Sequence, residues 1–219
     1  NNIGEIVSQG SLGNDVTYAL IGKYFVVKGT GFMDFNKISD YSEYITSIKK
    51  VYIKNGVTAI CRSMFDGCSN LEKIEIPEGV TNISNLAFNG CSMLREVKIP
   101  NSVTTIQSRA FTDCVSLKTV GLPIGLTVVA NNMFLRCTEL SSVNIPKSVK
   151  TIEYSAFYMC KGLKEITIPD KVTTIGKGAF YGSGLTNVTI GSGIEEIEAT
   201  AFGATKDLTT ITIKKSTDS

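Results

Sequence analysis

Phenylalanine recurs every 23 residues from Phe65 through Phe88, Phe111, Phe134 and Phe157 to Phe180, and Phe202 follows after 22. Other slots keep the same beat. Cys68, Cys91, Cys114, Cys137 and Cys160 hold one of them, which Ser183 and Thr205 then take. Leu71, Leu94, Leu117, Leu140, Leu163, Leu185 and Leu208 hold a second, and Pro77, Pro100, Pro123, Pro146 and Pro169 a third, with Gly191 next in line. One residue is missing between Phe180 and Leu185. A unit this short cannot cover its own apolar side. Stacked units cover one another, so a fixed period of this length predicts a solenoid.

One unit reads V-T-x-I-x-x-x-A-F-x-x-C-x-x-L-x-x-I-x-I-P. Its Leu71-x-x-Ile74-x-Ile76 half has the spacing of a leucine-rich repeat, whose period is roughly 20–29 residues. Ile74 and Ile76 point to one side of a strand and Glu75 to the other. Pro77 lacks the N–H that a parallel ladder would need next and stops the strand. A second, weaker strand is expected at Val80 to Ile83, then about two helical turns from Ser84 to Cys91 with Ala87, Phe88 and Cys91 facing inward. The phenylalanines should form a stacked column. The expected fold is a right-handed curved leucine-rich repeat solenoid of short parallel strands, mostly β with short helical turns.

The ends break the pattern. Asp15 to Leu20 and Tyr24 to Val27 flank Ile21-Gly22-Lys23 and read as a β-hairpin. Ile48 to Ile53 matches the strand half of a unit, which puts Ser42 in the phenylalanine slot of a degenerate first coil. Residues 1–38 are thus expected to cap a solenoid of residues 39–219, which has seven full repeats after the degenerate coil, the whole forming one structural domain. Ile211-Thr212-Ile213 is a last strand whose edge invites pairing. Further chain is the leading expectation for what covers it, beside the polar tail or self-association of two molecules.

Apolar residues make up 42% of the 219, charged residues 19%, and the net charge is +2. That balance argues against nucleic acid as a partner. No apolar run approaches the ~18 residues of a spanning helix, so no membrane insertion is expected. No leader is visible at Asn1, so either none existed or it was removed. Histidine is absent, which removes Ser-His-Asp and Cys-His catalysis and His-ligated metals. No catalytic residue, metal site or cofactor is expected. Gly176-Lys177-Gly178 lacks the rest of a phosphate-binding loop.

The units from Ile83 to Pro100 and from Ile152 to Pro169 resemble the BspA-type leucine-rich repeat, I-x-x-x-A-F-x-x-C-x-x-L-x-x-I-x-I-P, and the resemblance runs from Val57 to Ile213. Gly29-Thr30-Gly31-Phe32-Met33, followed by Ile48 to Val51, also looks like that family's lead-in. The resemblance implies a cell-surface or secreted protein of host-associated bacteria or parasitic protists. It further implies adhesion to host proteins, with fibronectin and fibrinogen the usual ligands, and no shared catalytic residues.

Three positions per strand escape the core and should line the concave sheet. From them the candidate protein-binding face is Lys49, Lys50, Tyr52, Lys73, Arg95, Lys98, Lys118, Asn144, Lys164, Thr167 and Thr189. It is mainly basic in the early coils and hydroxyl-rich in the late ones. The alternatives to an adhesin are a scaffold for an endogenous protein and a carbohydrate-binding or stalk domain. The carbohydrate reading ranks low, because Tyr52 is the one aromatic on the face.

The cysteine slot accepts Ser183 and Thr205, so small buried free thiols are expected there rather than a disulfide ladder. Cys61 falls off the beat and is expected near the surface as the most reactive thiol. Asn82-Ile83-Ser84 and Asn187-Val188-Thr189 are glycosylation sequons if a eukaryote secretes the chain.

Overall fold

The computed structural model describes residues 4–215, apart from the side chains at 38–40. Each coil contributes one strand to each of two parallel ladders. The first ladder runs from Lys50–Ile53 through Lys73–Glu75, Glu96–Lys98, Thr119–Gly121, Ser142–Asn144, Glu165–Ile168 and Asn187–Ile190 to Thr210–Ile213; its strands lie side by side throughout, but strand pairing is interrupted after Lys73–Glu75 and after Ser142–Asn144. The second begins at Gly31–Phe32 and Val57–Ile60 and ends at Glu196–Ile197. Register is strict: Val97, Val120 and Val143 face one another, as do Ile166, Val188 and Ile211. The prolines close each strand by accepting a turn bond, as when Val103 N–H donates to the Pro100 carbonyl at 3.1 Å.

The aromatic column forms as the period requires. Neighbouring rings from Phe65 to Phe202 stack with centroids 5.2–5.6 Å apart. Burying each interior ring is worth roughly 1.5–3 kcal/mol before entropy is counted. One core cluster extends continuously from Leu12 to Ala201.

Between the two strands the chain does not form the expected helical turns. Leu86 and Gly90 both have positive φ, at 60° and 70°, and the same two positions repeat in each coil: Arg109 and Asp113, Asn132 and Arg136, Ser155 and Met159. Each left-handed residue resets a tight turn before a helix can propagate. The reward is a second set of bonds between coils. Phe65 N–H donates to the Ala87 carbonyl, and Ser63 and Gly67 N–H to those of Asn85 and Asn89, at 2.8–2.9 Å. Here donors point toward the following coil. In the strand half they point toward the preceding one, as in Glu72 N–H to the Lys49 carbonyl at 2.8 Å. The stack therefore has a chemical direction.

The hairpin is present and gains a third strand. β1 (Ile6–Ser11) pairs antiparallel with β2 (Val16–Ile21), and β2 with β3 (Tyr24–Gly29) across Gly22, whose φ is 59°. β3 then pairs in parallel with Lys50–Ile53, which joins this meander to the first ladder. A 3-10 helix, Phe35–Ser47, starts at Asp34, whose carboxylate accepts from Asn36 N–H. It corrects the sequence reading of the first coil. Ser42 is exposed, while the neighbouring Tyr41 is fully buried. Phe25 closes the column edge-on to Phe65, with ring centroids 5.8 Å apart, and Tyr41 packs on Phe25.

All six cysteines are buried and free. Cys91, Cys114, Cys137 and Cys160 each donate their thiol to the phenylalanine carbonyl of the preceding coil at 3.1–3.3 Å. Cys61 is not at the surface as expected. It is 7% exposed, its thiol donates to Met64 Sδ, and burial pushes its pKa up to about 12. A nucleophilic thiolate is disfavoured there.

The C-terminal coil is the open end. Val188 and Ile190 are 2% and 0% exposed, but Ile211 and Ile213 at the next rung are 47% and 55% exposed. Thr200, Phe202 and Ala204 N–H occupy the positions that in earlier coils donate onward, and they have no partner among the described residues.

Candidate binding face

All eleven candidate residues lie on or beside the strands of the first ladder, and none is fully buried. The ladder aligns them in columns because identical slots in successive coils share a register. Paired register aligns Tyr52 with Glu75, Lys98 with Gly121 and Asn144, and Thr167 with Thr189, and the repeat period places all of them in one slot.

The early-coil cations divide into two groups. Lys49 pairs with Glu72 at 3.0 Å, Lys73 with Glu75 at 2.8 Å, and Lys118 with Glu139 at 3.9 Å. The hydrogen bond from Lys49 lowers the Glu72 pKa, and that from Lys73 to Glu75 raises the lysine's. These pairs are solvent-exposed and contribute little to stability. Their effect is to cancel three of the charges that the sequence placed on this face. Lys50 sits over the Tyr24 ring, 5.6 Å from its centroid. Arg95, Lys98 and Lys164 have no ion-pair partner among the described residues.

Arg95 and Lys98 border a depression of about 600 Å³, together with Lys73, Glu72, Glu75 and Glu96 and a floor of Ile74 and Ile76. A second depression, of about 290 Å³, lies among Ser141, Ser142, Asn144, Glu165 and Thr167. The early hollow carries charge and an apolar floor, and the late one is lined chiefly by hydroxyl and amide groups.

Tyr24 is the residue that sequence reasoning missed. Its strand belongs to the cap, yet the register Tyr24 to Lys50 brings it onto the same sheet, with its ring 6.4 Å from that of Tyr52. The alternation of β3 was the available signal: Phe25 and Val27 point inward, so Tyr24 must point out. Asn187 is exposed on this face, whereas Asn82 is half-buried and donates to Ser84 Oγ at 2.8 Å.

Among the described residues no group of three acidic, cysteine or histidine side chains could hold a metal ion. Among them also, no helix is long and apolar enough to cross a membrane.

The family model of the BspA type leucine rich repeat region matches residues 36–164 and 127–219, with six copies. No curated protein matches the sequence. Among solved structures, the chain is similar to a leucine rich cell surface protein from Faecalibacterium prausnitzii. The identity is 27% and the TM-score 0.65, over 93% of this chain and 54% of that one. The chain therefore spans about half the length of that protein. It is also similar to the leucine rich repeat protein of T. pallidum, with 25% identity and a TM-score of 0.60 over 83% of this chain and 87% of that one.

Proposed function

The chain belongs to the BspA-type leucine-rich repeat family, and on that premise we propose that it is a non-enzymatic protein-binding module of a cell-surface or secreted adhesin. Its ligand is a host extracellular-matrix or plasma protein such as fibronectin or fibrinogen, engaged by the strand face. The observation that carries this reading is the unpaired couple Arg95 and Lys98 beside a hollow with an apolar floor. Exposed cations with no internal partner can be neutralised by a partner's carboxylates, and an adjacent apolar floor gives a side chain somewhere to bury. A parallel ladder holds these groups in fixed register, so little ordering cost is left for binding. The similarity to a named cell surface protein supports the location.

The test is interferometry of the purified chain against immobilised fibronectin, fibrinogen, collagen and laminin at two salt concentrations. Saturable binding to one of them, weaker in high salt, is the expected result. Failure to bind any of the four would favour a scaffold for an endogenous partner, to be sought by pull-down from the producing organism.

A further inference from the structure

The one missing residue in the repeat leaves a gap. Lys161 and Lys206 occupy the same slot, directly after the cysteine position, in the coils on either side of Ser183. In the coil between them Ser183 is followed by Gly184 and then at once by Leu185, so the slot pair holds a single glycine. The two lysines thus flank the shortened coil, about 10 Å apart at their backbones from two coil spacings. At Gly184 the shortened backbone lies tight against the preceding coil, where a Cβ would overlap the Lys161 carbonyl oxygen, and Lys164 Nζ comes within 3.1 Å of the same position. The result is a depression of about 510 Å³ bordered by Lys161, Lys164 and Lys206, with Met159 and Tyr181 as its apolar wall and Asp207 as its one carboxylate.

The regular bonding fails at the same place. Leu71, Leu163 and Leu208 N–H donate to the carbonyl of the cysteine slot at 3.0–3.2 Å, and Leu185 N–H makes no such bond. Ser183 Oγ is the buried side-chain polar atom without a partner among the described residues. None of the three lysines has an ion-pair partner there.

We propose that this gap binds a sugar carrying a tetrahedral oxyanion ester, sulfate or phosphate. Three lysines and no arginine line it. Compact point charges suit a tetrahedral oxyanion, whereas planar carboxylates are best met by the fork of arginine. The hollow is far larger than one side-chain carboxylate needs and falls in the size range of small-ligand sites. The Tyr181 ring stacks on Tyr158, with centroids 5.1 Å apart, so it is Met159 and the ring edge of Tyr181 that give the hollow apolar surface for the C–H groups of a sugar. The site shares Lys164 with the strand face, but Lys161 and Lys206 lie outside that face, so their substitution tests this hollow alone.

Titration calorimetry on the full chain tests it with five probes: a sulfated disaccharide, its phosphorylated counterpart, the unsubstituted disaccharide, inorganic sulfate and a glutamate-rich peptide. Binding of one esterified sugar, with little or none of the unsubstituted one, is expected, and the stronger of the two esters identifies the group. The double variant Lys161→Gln/Lys206→Gln should weaken it by about tenfold or more. Inserting a threonine between Ser183 and Gly184 restores the period, keeps all three lysines and should abolish binding by filling the gap. Should the insertion not fold, the lysine variant decides. Equal binding of the unsubstituted sugar, preference for the peptide, response to inorganic sulfate alone, no binding at all, or affinity unchanged in a folded variant would overturn the proposal.

Discussion

The Tyr41 hydroxyl donates to the Met64 carbonyl at 2.7 Å, and so takes the place of a main-chain N–H. In every later coil the equivalent carbonyl, that of Ala87, Ala110, Met133, Ala156, Ala179 or Ala201, accepts from the phenylalanine N–H of the coil before it. The first repeat has no such coil behind it, and one side chain from the 3-10 helix substitutes. Tyr41→Phe keeps the ring and orphans the carbonyl. It should cost about 1–3 kcal/mol in chemical denaturation. A change within error would mean that the hydroxyl is dispensable to the cap.

Ser183 suggests a gain. In four earlier coils its slot is held by cysteines whose longer side chains reach the phenylalanine carbonyl of the preceding coil, and Thr205 in the last coil donates instead to the Phe202 carbonyl. Ser183 Oγ finds no partner. Ser183→Cys should restore the bond to the Phe157 carbonyl and raise the denaturation midpoint, a gain of up to about 1 kcal/mol in unfolding free energy. A lower midpoint would show that the deletion, not side-chain length, leaves the group unpaired.

Position along the column should set the cost of losing a ring. Phe111 is fully buried between two stacked rings, and Phe111→Ala should cost about 3–5 kcal/mol. Phe202 has a ring on one side only and is partly exposed. Phe202→Ala should cost clearly less, and equal losses in the two variants would contradict the open-ended stack.

The buried thiols make stability fall with pH. Burial raises the pKa of all six, to about 12 for Cys61. In the unfolded chain they ionise near 8.5. Above that pH the unfolded state binds fewer protons than the folded one, so unfolding is favoured. Stability should be unaffected by these groups below about pH 8.5 and drop by several kcal/mol per pH unit well above it. Denaturant midpoints across this range check it. In the same experiments a thiol reagent at pH 7 should label none of the six until the chain unfolds, Cys61 included.

Much of this was legible because a solenoid writes its fold as a period. The Phe, Cys, Leu and Pro slots fixed the strands, the column and the direction of each outward side chain. What escaped has physical causes. The turns between strands read as helical because Leu86, Arg109, Asn132 and Ser155 carry no glycine signal, although each adopts positive φ. There the bonds between coils outweigh local preference. β1 escaped because Ile6-Val7-Ser8-Gln9-Gly10-Ser11 shows no alternation. The face itself was placed by register, but its charge was overcounted. Lys49 and Glu72 share one slot in adjacent coils, so a 23-residue separation becomes a 3.0 Å contact. Pairing of that kind is visible only once the coils are stacked.

Recognition through the strand face is tested by comparing the wild type with Arg95→Glu/Lys98→Glu on whichever matrix or plasma protein binds, by interferometry at two salt concentrations. Lys49→Glu, at a cation already neutralised by Glu72, serves as the reference. At least about a tenfold loss and a flatter salt dependence are expected for the double variant, and a smaller loss for the reference. Unchanged affinity in a folded double variant would contradict recognition through this face.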